Sequence, residues 1–267
     1  MSESLVKHHV EDNILHVAIN RPEKRNALTG EMMHLLADAV QTADDHPEVR
    51  AVIVSGEGPV FSAGIDVMAL AQLQAEAGER NPARWLRRMA GDWQQTLHVI
   101  ETTEVPVIGA LHGQVIGMGL ELALSFDLRV ASDDLQLSIP ESRMGLVADV
   151  GGTTRLSRVI GPSRAKDMLM TARNVGAQEA LSWGLVNRVV PGSELAAGAR
   201  DLADQIARNA PLAVGLAKLI VDQGDGLDRH TQMTLERLAQ SQLITTHDVT
   251  EAATAFFERR PAAFQGK

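Results

Sequence analysis

Residues 61–66 form the first of several short stretches whose composition could support chemistry. Ala63 and Gly64 follow an apolar run, and small side chains allow a backbone N–H to approach a ligand closely. The alternative is an ordinary strand-to-helix turn that carries Asp66 in its first helical turn. The stretch alone leaves both interpretations open.

Residues 117–121 enter an apolar helix through two glycines. The first N–H groups of a helix have no partner within it, so this start could stabilise an anion. Alternatively, the glycines serve packing and Glu121 is a favourable charge at the helix start. The spacing does not match a dinucleotide-binding motif.

Two further carboxyl groups follow at positions 141 and 149. Ser138 and Glu141 have the spacing of a helix capping box, with Pro140 early in the helix, which is the alternative to a catalytic role for Glu141. Asp149 lies between apolar residues in a glycine-punctuated turn. We expect it to be partly buried with a raised pKa, unless it is a turn aspartate with satisfied hydrogen bonds.

The composition argues against most other kinds of site. The absence of cysteine excludes disulfides, thiol nucleophiles, zinc–thiolate sites and iron–sulfur clusters. The nine histidines show no metal-ligand spacing, and the serine-hydrolase and phosphate-loop motifs are missing. The sequence therefore gives no support to a metal hydrolase, a serine hydrolase or a nucleoside triphosphatase.

The charge balance is acidic, with 25 basic and 34 acidic residues and a net charge of −9. This argues against a nucleic-acid-binding surface, which needs a basic stripe. No apolar run approaches the roughly 18 residues of a membrane-spanning helix, and the first ten residues lack a signal core. We expect a soluble, cytoplasmic protein.

The elements that must position these residues alternate between strand and helix, which predicts an α/β fold. The run 51–56 is nearly all apolar, typical of a strand covered on both faces of a mostly parallel sheet. The predicted strands are 14–19, 51–56, 105–111 and 128–131; the predicted helices begin at the Thr29 N-cap and span 84–101, and residues 74–84 are predicted as a loop.

After Pro191 the pattern changes to helices alone, at 193–209, 211–222, 227–243 and 248–260. This change predicts a boundary near residue 195. Residues 1–195 would form the core, and residues 196–267 a helical C-terminal region.

Individually these motifs remain ambiguous, but their order resembles the enoyl-CoA hydratase/isomerase (crotonase) family. The resemblance covers about residues 5 to 265 and is carried by residues 20–28, 61–66, 113–122, 140–141 and 151–156, with 180–190 and 246–260 also fitting. It implies a spiral of ββα units followed by a helical region for oligomerisation and pocket covering. It also implies a homotrimer or a dimer of trimers.

The resemblance further implies an acyl-CoA thioester substrate and no metal, nucleotide cofactor or prosthetic group. By position, the N–H groups of Ala63 and Met118 would stabilise a thioester enolate, and Glu121 and Glu141 would handle the water. The segment containing Ala63, Gly64, Ile65 and Asp66 would line the bound CoA. Such roles are chemically sensible, because two nearby carboxyls allow acid and base forms to coexist.

Asp149 is a departure from the hydratase pattern, which usually has glycine there, and resembles the dienoyl-CoA isomerase branch. That branch usually has aspartate at the position of Glu121, so the chain combines features of both. We expect a hydratase first. The alternatives are a dienoyl- or enoyl-CoA isomerase using Glu141 and Asp149, and a non-catalytic acyl-CoA-binding protein.

The periphery of the site gives further expectations. The predicted acyl-pocket wall comprises Met68, Leu70, Leu73, Trp85 and Met89, and the candidate cations for the CoA phosphates are Lys24, Arg25 and Lys267. Residues 248–267, which hold three of the five phenylalanines, are predicted to pack on a neighbouring subunit or the acyl pocket; packing within the chain is the alternative.

Overall fold

The computed structural model of the chain describes residues 4–76 and 81–267, without the side chains at positions 70, 72–74 and 76. Its strands are β1 (Val6–Glu11), β2 (Ile14–Ile19), β3 (Ala51–Gly56), β4 (Val107–Leu111), β5 (Gln114–Ile116), β6 (Leu128–Ser132), β7 (Gln136–Ser138), β8 (Val175–Gly176) and β9 (Arg188–Val190). Its α-helices are α1 (Gly30–Asp45), α2 (Val67–Glu76), α3 (Pro82–Thr102), α4 (Met118–Ala123), α5 (Gly152–Thr171), α6 (Ala177–Trp183), α7 (Leu195–Ala207), α8 (Pro211–Gly224), α9 (Arg229–Leu243) and α10 (His247–Glu258). Short 3-10 helices lie at Pro22–Lys24, Glu141–Met144 and Gly192–Glu194.

The larger sheet has six strands in the order β1-β2-β3-β4-β6-β9. Only β1 and β2 pair antiparallel, as a hairpin, and the remaining neighbours are parallel. The predicted α/β class and the predicted strands are therefore confirmed. Because the parallel strands share a direction, the loops that follow β3, β4 and β6 emerge at the same edge.

Both faces of this sheet are covered, as the apolar run 51–56 predicted. Val52 and Val54 point into the main core, while Ala51 and Ile53 pack on the opposite face. Helix α7 covers that second face through Ala199, Leu202 and Ala203. The boundary near residue 195 stays a prediction, and α7, which begins there, packs directly on the sheet.

A second sheet of three strands, in the order β5-β7-β8, lies beside the carboxyl-terminal edge of the larger one. The chain passes from β4 to β5 and α4, and then from β6 to β7 and α5, so these two strands of the larger sheet are each followed by a strand of the smaller sheet and a helix. This repeat is the predicted spiral of ββα units. It delivers the residues that follow β5 and β7 to one side of the molecule.

The loop predicted over 74–84 is wrong at both ends. Helix α2 continues to Glu76 and α3 begins at Pro82; residues 77–80 lie outside the described part of the chain. Pro82 occupies the first helical position, where its missing N–H costs nothing, and the Asn81 side chain accepts the Arg84 N–H. In the described residues, no helix is long and apolar enough to cross a membrane.

Candidate active site

The loop that follows β3 is held by backbone pairing on two sides. Leu28 N–H donates to Gly64 O at 2.7 Å, and Asp66 N–H donates to Leu28 O at 2.8 Å. On the other side, Ile116 N–H donates to Ser62 O at 3.1 Å, so the loop joins strand β5. Residues 61–66 therefore form a fixed ledge.

The N–H groups of Ala63 and Ile65 in this ledge differ in whether they already have a hydrogen-bond partner. Ala63 N–H donates to Arg25 O at 2.9 Å and is already used. Leu28 and Ile65 form a parallel β-bridge, in which Leu28 bonds to Gly64 and Asp66 on either side of Ile65. The N–H of Ile65 itself therefore points away from Leu28. It has no hydrogen-bond partner among the described residues. The structure therefore contradicts Ala63 as an oxyanion donor and offers Ile65 instead.

A second available N–H lies at the start of α4. Met118 is the first residue of that helix, and its N–H has no partner in the described part of the chain. A Cβ added to Gly64 would lie 2.7 Å from Ile116 O and 3.8 Å from Met118 N, so the ledge and the helix start are in contact. The Ile65 and Met118 N–H groups belong to these two adjoining turns.

Glu121 lies in α4 and is only 2% exposed. Its Oε1 accepts N–H bonds from Val150 at 2.9 Å and from Gly152 at 2.8 Å. Burial raises the pKa of Glu121 to about 7, because desolvation outweighs the two N–H bonds and the charges of Glu141 and Asp149 add to it. Glu121 can therefore gain or lose a proton near neutral pH.

Glu141 follows β7 at the start of the short 3-10 helix. A Cβ on Gly117 would lie 2.5 Å from Glu141 Oε1, which places this carboxyl against the start of α4. Its Oε2 is buried without a hydrogen-bond partner among the described residues. Burial, followed by the charge of Asp149, raises the pKa of Glu141.

The capping box predicted for Ser138 does not form. Ser138 ends strand β7, the residue preceding the 3-10 helix is Pro140, and no side chain caps that helix. Ser138 is held in the strand instead, and its carbonyl accepts the Gly117 N–H at 2.9 Å. The Glu141 carboxyl is thus free of the alternative role that its spacing allowed.

Asp149 is exposed, although its neighbours Ala148 and Val150 are buried. Its carboxyl is nevertheless partly desolvated, as the sequence predicted. The predicted raised pKa of Asp149 is confirmed, with desolvation by the surrounding turn as its cause. Its charge raises the pKa of both Glu121 and Glu141, so the three carboxyls form one electrostatic group.

Asp66 has a structural role. One oxygen accepts a bond from Arg21 Nη1 at 2.6 Å, and the other accepts the N–H groups of Met68 and Ala69 at the start of α2. The bond from Arg21 is the largest reason why the pKa of Asp66 lies below its usual value. The carboxylate anchors the ledge and is not directed at a ligand.

Among the predicted cations, Arg25 adjoins the site most directly. It is exposed, and its Nη2 donates to Gln114 Oε1 in strand β5, while Lys24 beside it is also exposed. Lys267 lies elsewhere: its carbonyl accepts the Asp248 N–H, and the nearby Phe264 O accepts a bond from Arg50, just before β3. This is the amino-terminal edge of the sheet, so Lys267 lies away from the site of its own chain.

The predicted pocket wall is only partly described. Met68 is 79% exposed, Trp85 is half-buried and Met89 packs on the main core; the Leu70 and Leu73 side chains lie outside the described residues. Beside Asp149 lies a cavity of about 590 Å³ between α3 and the start of α5. Its lining from α3 is polar, with Gln94, Gln95 and His98.

Together these groups can polarise a carbonyl and move a proton beside it. Two unpaired N–H groups can stabilise negative charge on an oxygen. Two neighbouring carboxyls with raised pKa values can act as acid and base. No group of three or more metal-ligating side chains occurs in the described ranges 4–76 and 81–267.

Comparison with known proteins agrees with this chemistry. The family described as enoyl-CoA hydratase/isomerase matches residues 9–267. The chain is 36% identical to the short-chain-enoyl-CoA hydratase of Clostridium acetobutylicum, over 94% of this chain and 93% of that protein. It is 35% identical to the crotonyl-CoA hydratase of Syntrophomonas wolfei, with 96% of each covered. The crystal structure of an enoyl-CoA hydratase from Bacillus anthracis superposes with a TM-score of 0.90 at 32% identity, covering 99% of this chain and 100% of that one.

Proposed function

Because the chain belongs to the enoyl-CoA hydratase/isomerase family, we propose that it adds water across the C2=C3 bond of a 2-enoyl-CoA thioester. The observation that carries this proposal is the pair Glu121 and Glu141. Glu121 is buried and Glu141 is half-buried, both have raised pKa values, and both lie at the start of α4. Two such carboxyls can share one proton, as the addition of water requires.

In the proposed mechanism, the thioester oxygen accepts the N–H groups of Ile65 and Met118. One carboxylate takes a proton from water as the water oxygen bonds to C3. The electrons of the double bond move onto the thioester as an enolate, and C2 then takes a proton from the other carboxyl. Loss of one oxyanion donor typically costs about 2.7–4 kcal/mol of transition-state stabilisation, so the available N–H groups are central.

Glu121 and Glu141 titrate as a pair in this proposal. The charge of Glu141 raises the pKa of Glu121, so removing a proton from one carboxyl raises the proton affinity of the other. One shared proton gives the pair an acid and a base at the same time. The reaction is a neutral addition without net oxidation, so the proposal includes no cofactor beyond the CoA of the substrate.

The CoA would extend along the ledge formed by residues 63–66, with Arg25 and Lys24 near its phosphates. Both cations are exposed on the loop that carries Asn26, and buried Asn26 bonds to Glu57 O and Val60 O. The Ser62 hydroxyl donates to Asn26 O and the Ala63 N–H to Arg25 O, which attaches the cationic loop to the ledge. Their position beside the ledge supports Lys24 and Arg25, rather than Lys267 of the same chain, as contacts of the phosphates.

We further propose short acyl groups as substrates. A long aliphatic chain that passed Asp149 would meet the polar cavity of Gln94, Gln95 and His98, where apolar burial gains little. The short-chain and crotonyl substrates in the names of the two relatives support the same size. Activity should therefore fall from four-carbon to sixteen-carbon 2-enoyl-CoA substrates.

A homotrimer or a dimer of trimers, in the cytoplasm, is the proposed state of the protein. Phe256 and Phe257 of α10 are 80% and 83% exposed within one chain, which supports coverage by another subunit. The residues beyond α10 pack within the chain instead. The N–H groups of Gln265 and Gly266 donate to buried Asp248.

An isomerase acting through Glu141 and Asp149 is the second candidate. It is favoured by one observation, namely that Asp149 raises the pKa of Glu141 and has a raised pKa itself. Such an enzyme would move a proton along a dienoyl chain between these two carboxyls.

The deciding experiment incubates the protein separately with a 2-enoyl-CoA and a 3,5-dienoyl-CoA and follows the absorbance of each. Loss of the 2-enoyl chromophore supports the hydratase. Turnover of the dienoyl-CoA alone would replace the hydratase with the isomerase. Binding of both compounds without turnover of either would leave a non-catalytic acyl-CoA-binding protein.

A further inference from the structure

Arg155, in the first turn of α5, connects two parts of the protein without touching the reacting groups. Its Nε and Nη2 donate to the two carboxylate oxygens of Glu101 in α3, the second at 2.8 Å. Its Nη1 donates to Val150 O at 2.8 Å. The guanidinium therefore forms a bidentate ion pair with Glu101, and its remaining nitrogen donates to a backbone carbonyl.

The carbonyl that Arg155 holds lies in the middle of the turn that binds Glu121. The Val150 N–H precedes this carbonyl and the Gly152 N–H follows it, and both donate to Glu121 Oε1. The peptide between them is thus fixed from the opposite side. Any rotation of that peptide would misalign the two N–H donors.

The turn leaves no spare room around this contact. Gly151 has φ +106°, and a Cβ there would overlap the Arg155 guanidinium. A Cβ on Gly152 would lie 2.9 Å from Glu121 Oε1. The two glycines let the guanidinium and the carboxylate approach one backbone turn from two sides.

We propose that Arg155 is a positioning residue, which fixes the turn 148–152 so that its N–H groups hold Glu121 in the orientation needed for water addition. The inference rests on the proposed hydratase function. Arg155 acts through the Val150 carbonyl, and Glu101 anchors it to α3. Its positive charge is neutralised by Glu101, so its effect on Glu121 is geometric.

Several other charged groups surround Glu121 and Glu101. Glu121 is faced by Glu141 and Asp149; Glu101 is faced by Arg155, by His98 Nδ1 at 3.6 Å and by Asp222 of α8. Arg158, one turn further along α5, pairs with Asp225 and forms no hydrogen bond or ion pair with the turn among the described residues. Arg158 is therefore a matched control on the same helix.

The test compares Arg155→Gln with Arg158→Gln. The first should lower kcat by about 10- to 100-fold while KM changes less than about twofold, because misplacing a catalytic group by about 1 Å can cost that much. Lost N–H bonds favour the protonated carboxyl, so the pH profile of kcat/KM should move to higher pH. Arg158→Gln should leave kcat, KM and the pH profile near those of the parent.

Hydrogen exchange supplies a readout that does not depend on turnover. The peptide covering residues 148–153 should exchange faster in Arg155→Gln than in the parent and in Arg158→Gln. If the parent does not hydrate enoyl-CoA, the proposed function fails, but this exchange still tests the positioning role. Parent-like exchange in Arg155→Gln would overturn it.

Arg155→Lys tests whether Arg155 positions the turn or only links α3 to α5. It also replaces Arg155→Gln if that variant does not fold. Lysine can donate to Val150 O but cannot form the fork with Glu101 at the same time. We expect its kcat and exchange rate to fall between those of the parent and Arg155→Gln. A charge swap, Glu101→Arg with Arg155→Glu, should restore stability but not kcat; full recovery of kcat would contradict the role of the Val150 contact.

Discussion

At the residue scale, three carboxyls separate the two candidate chemistries. For a hydratase, Glu121→Gln and Glu141→Gln should each lower hydration by about 10²–10⁴-fold, the usual contribution of general acid–base catalysis. Asp149→Asn should cost far less, because Asp149 is exposed and acts on the pair through its charge. Steady-state kinetics with a 2-enoyl-CoA measure all three.

The isomerase predicts that Glu121 and Asp149 exchange places in this ranking on a dienoyl-CoA. Asp149→Asn would then be as damaging as Glu141→Gln, and Glu121→Gln would be mild. A folded Glu121→Gln variant that hydrates at the parental rate would contradict the proposed role of Glu121 in water addition. Melting temperatures recorded in parallel separate lost activity from lost folding.

Glu121 also predicts how stability depends on pH. Its pKa is raised from 4.5 to about 7 on folding, so the stability that its protonated form contributes is present below pH 4.5 and is lost as pH rises through 7. The full difference corresponds to about 3 kcal/mol. Glu121→Gln keeps an oxygen for the Val150 and Gly152 N–H groups without the charge. Its melting temperature should therefore rise relative to the parent between pH 4.5 and pH 8; a constant difference would contradict the raised pKa.

At the scale of the elements, glycines let the carboxyls approach the backbone of neighbouring turns. Gly117 has φ +51°, and a Cβ there would lie 2.5 Å from Glu141 Oε1. Gly117→Ala should displace Glu141, lower kcat and destabilise the fold by roughly 1–2 kcal/mol. Gly226→Ala is the control, because nothing lies within 4 Å of its added Cβ and its φ is not positive. Equal effects of the two substitutions would remove the special role of Gly117.

The helix starts were readable from sequence where a side chain caps them. Thr29 accepts the Met32 N–H at the start of α1, as its position before an amphipathic pattern predicted. The start of α5 could not be read in this way, because Gly151 caps it without a side chain and Glu121 from α4 accepts its Gly152 N–H. That partner is 31 residues away in sequence, so no local pattern contains it.

At the scale of the whole molecule, the exposed aromatic pair of α10 predicts an interface. Replacing Phe256 and Phe257 together by serine should lower the oligomer mass, measured by light scattering, toward the 28.8 kDa chain. Each large apolar side chain buried at an interface contributes about 1.5–3 kcal/mol. Replacing both by leucine is the control and should retain most of the assembly. An unchanged mass in the serine variant would place the interface elsewhere.

Periodicity and residue type are local properties, so they predicted the alternation of strand and helix, the strand 51–56 covered on both faces, and the acids at positions 121, 141 and 149. Tertiary structure decided which N–H groups are available and how the acids are held. Ala63 and Ile65 are two positions apart, and only the pairing of the ledge with Leu28 and Arg25 shows that the first N–H is used and the second is not. The contacts of Arg155 with Glu101 and Val150 also depend on how α3 packs beside α5. Hydrogen bonds between distant segments form only once the chain is folded, and these bonds decide the geometry of the site.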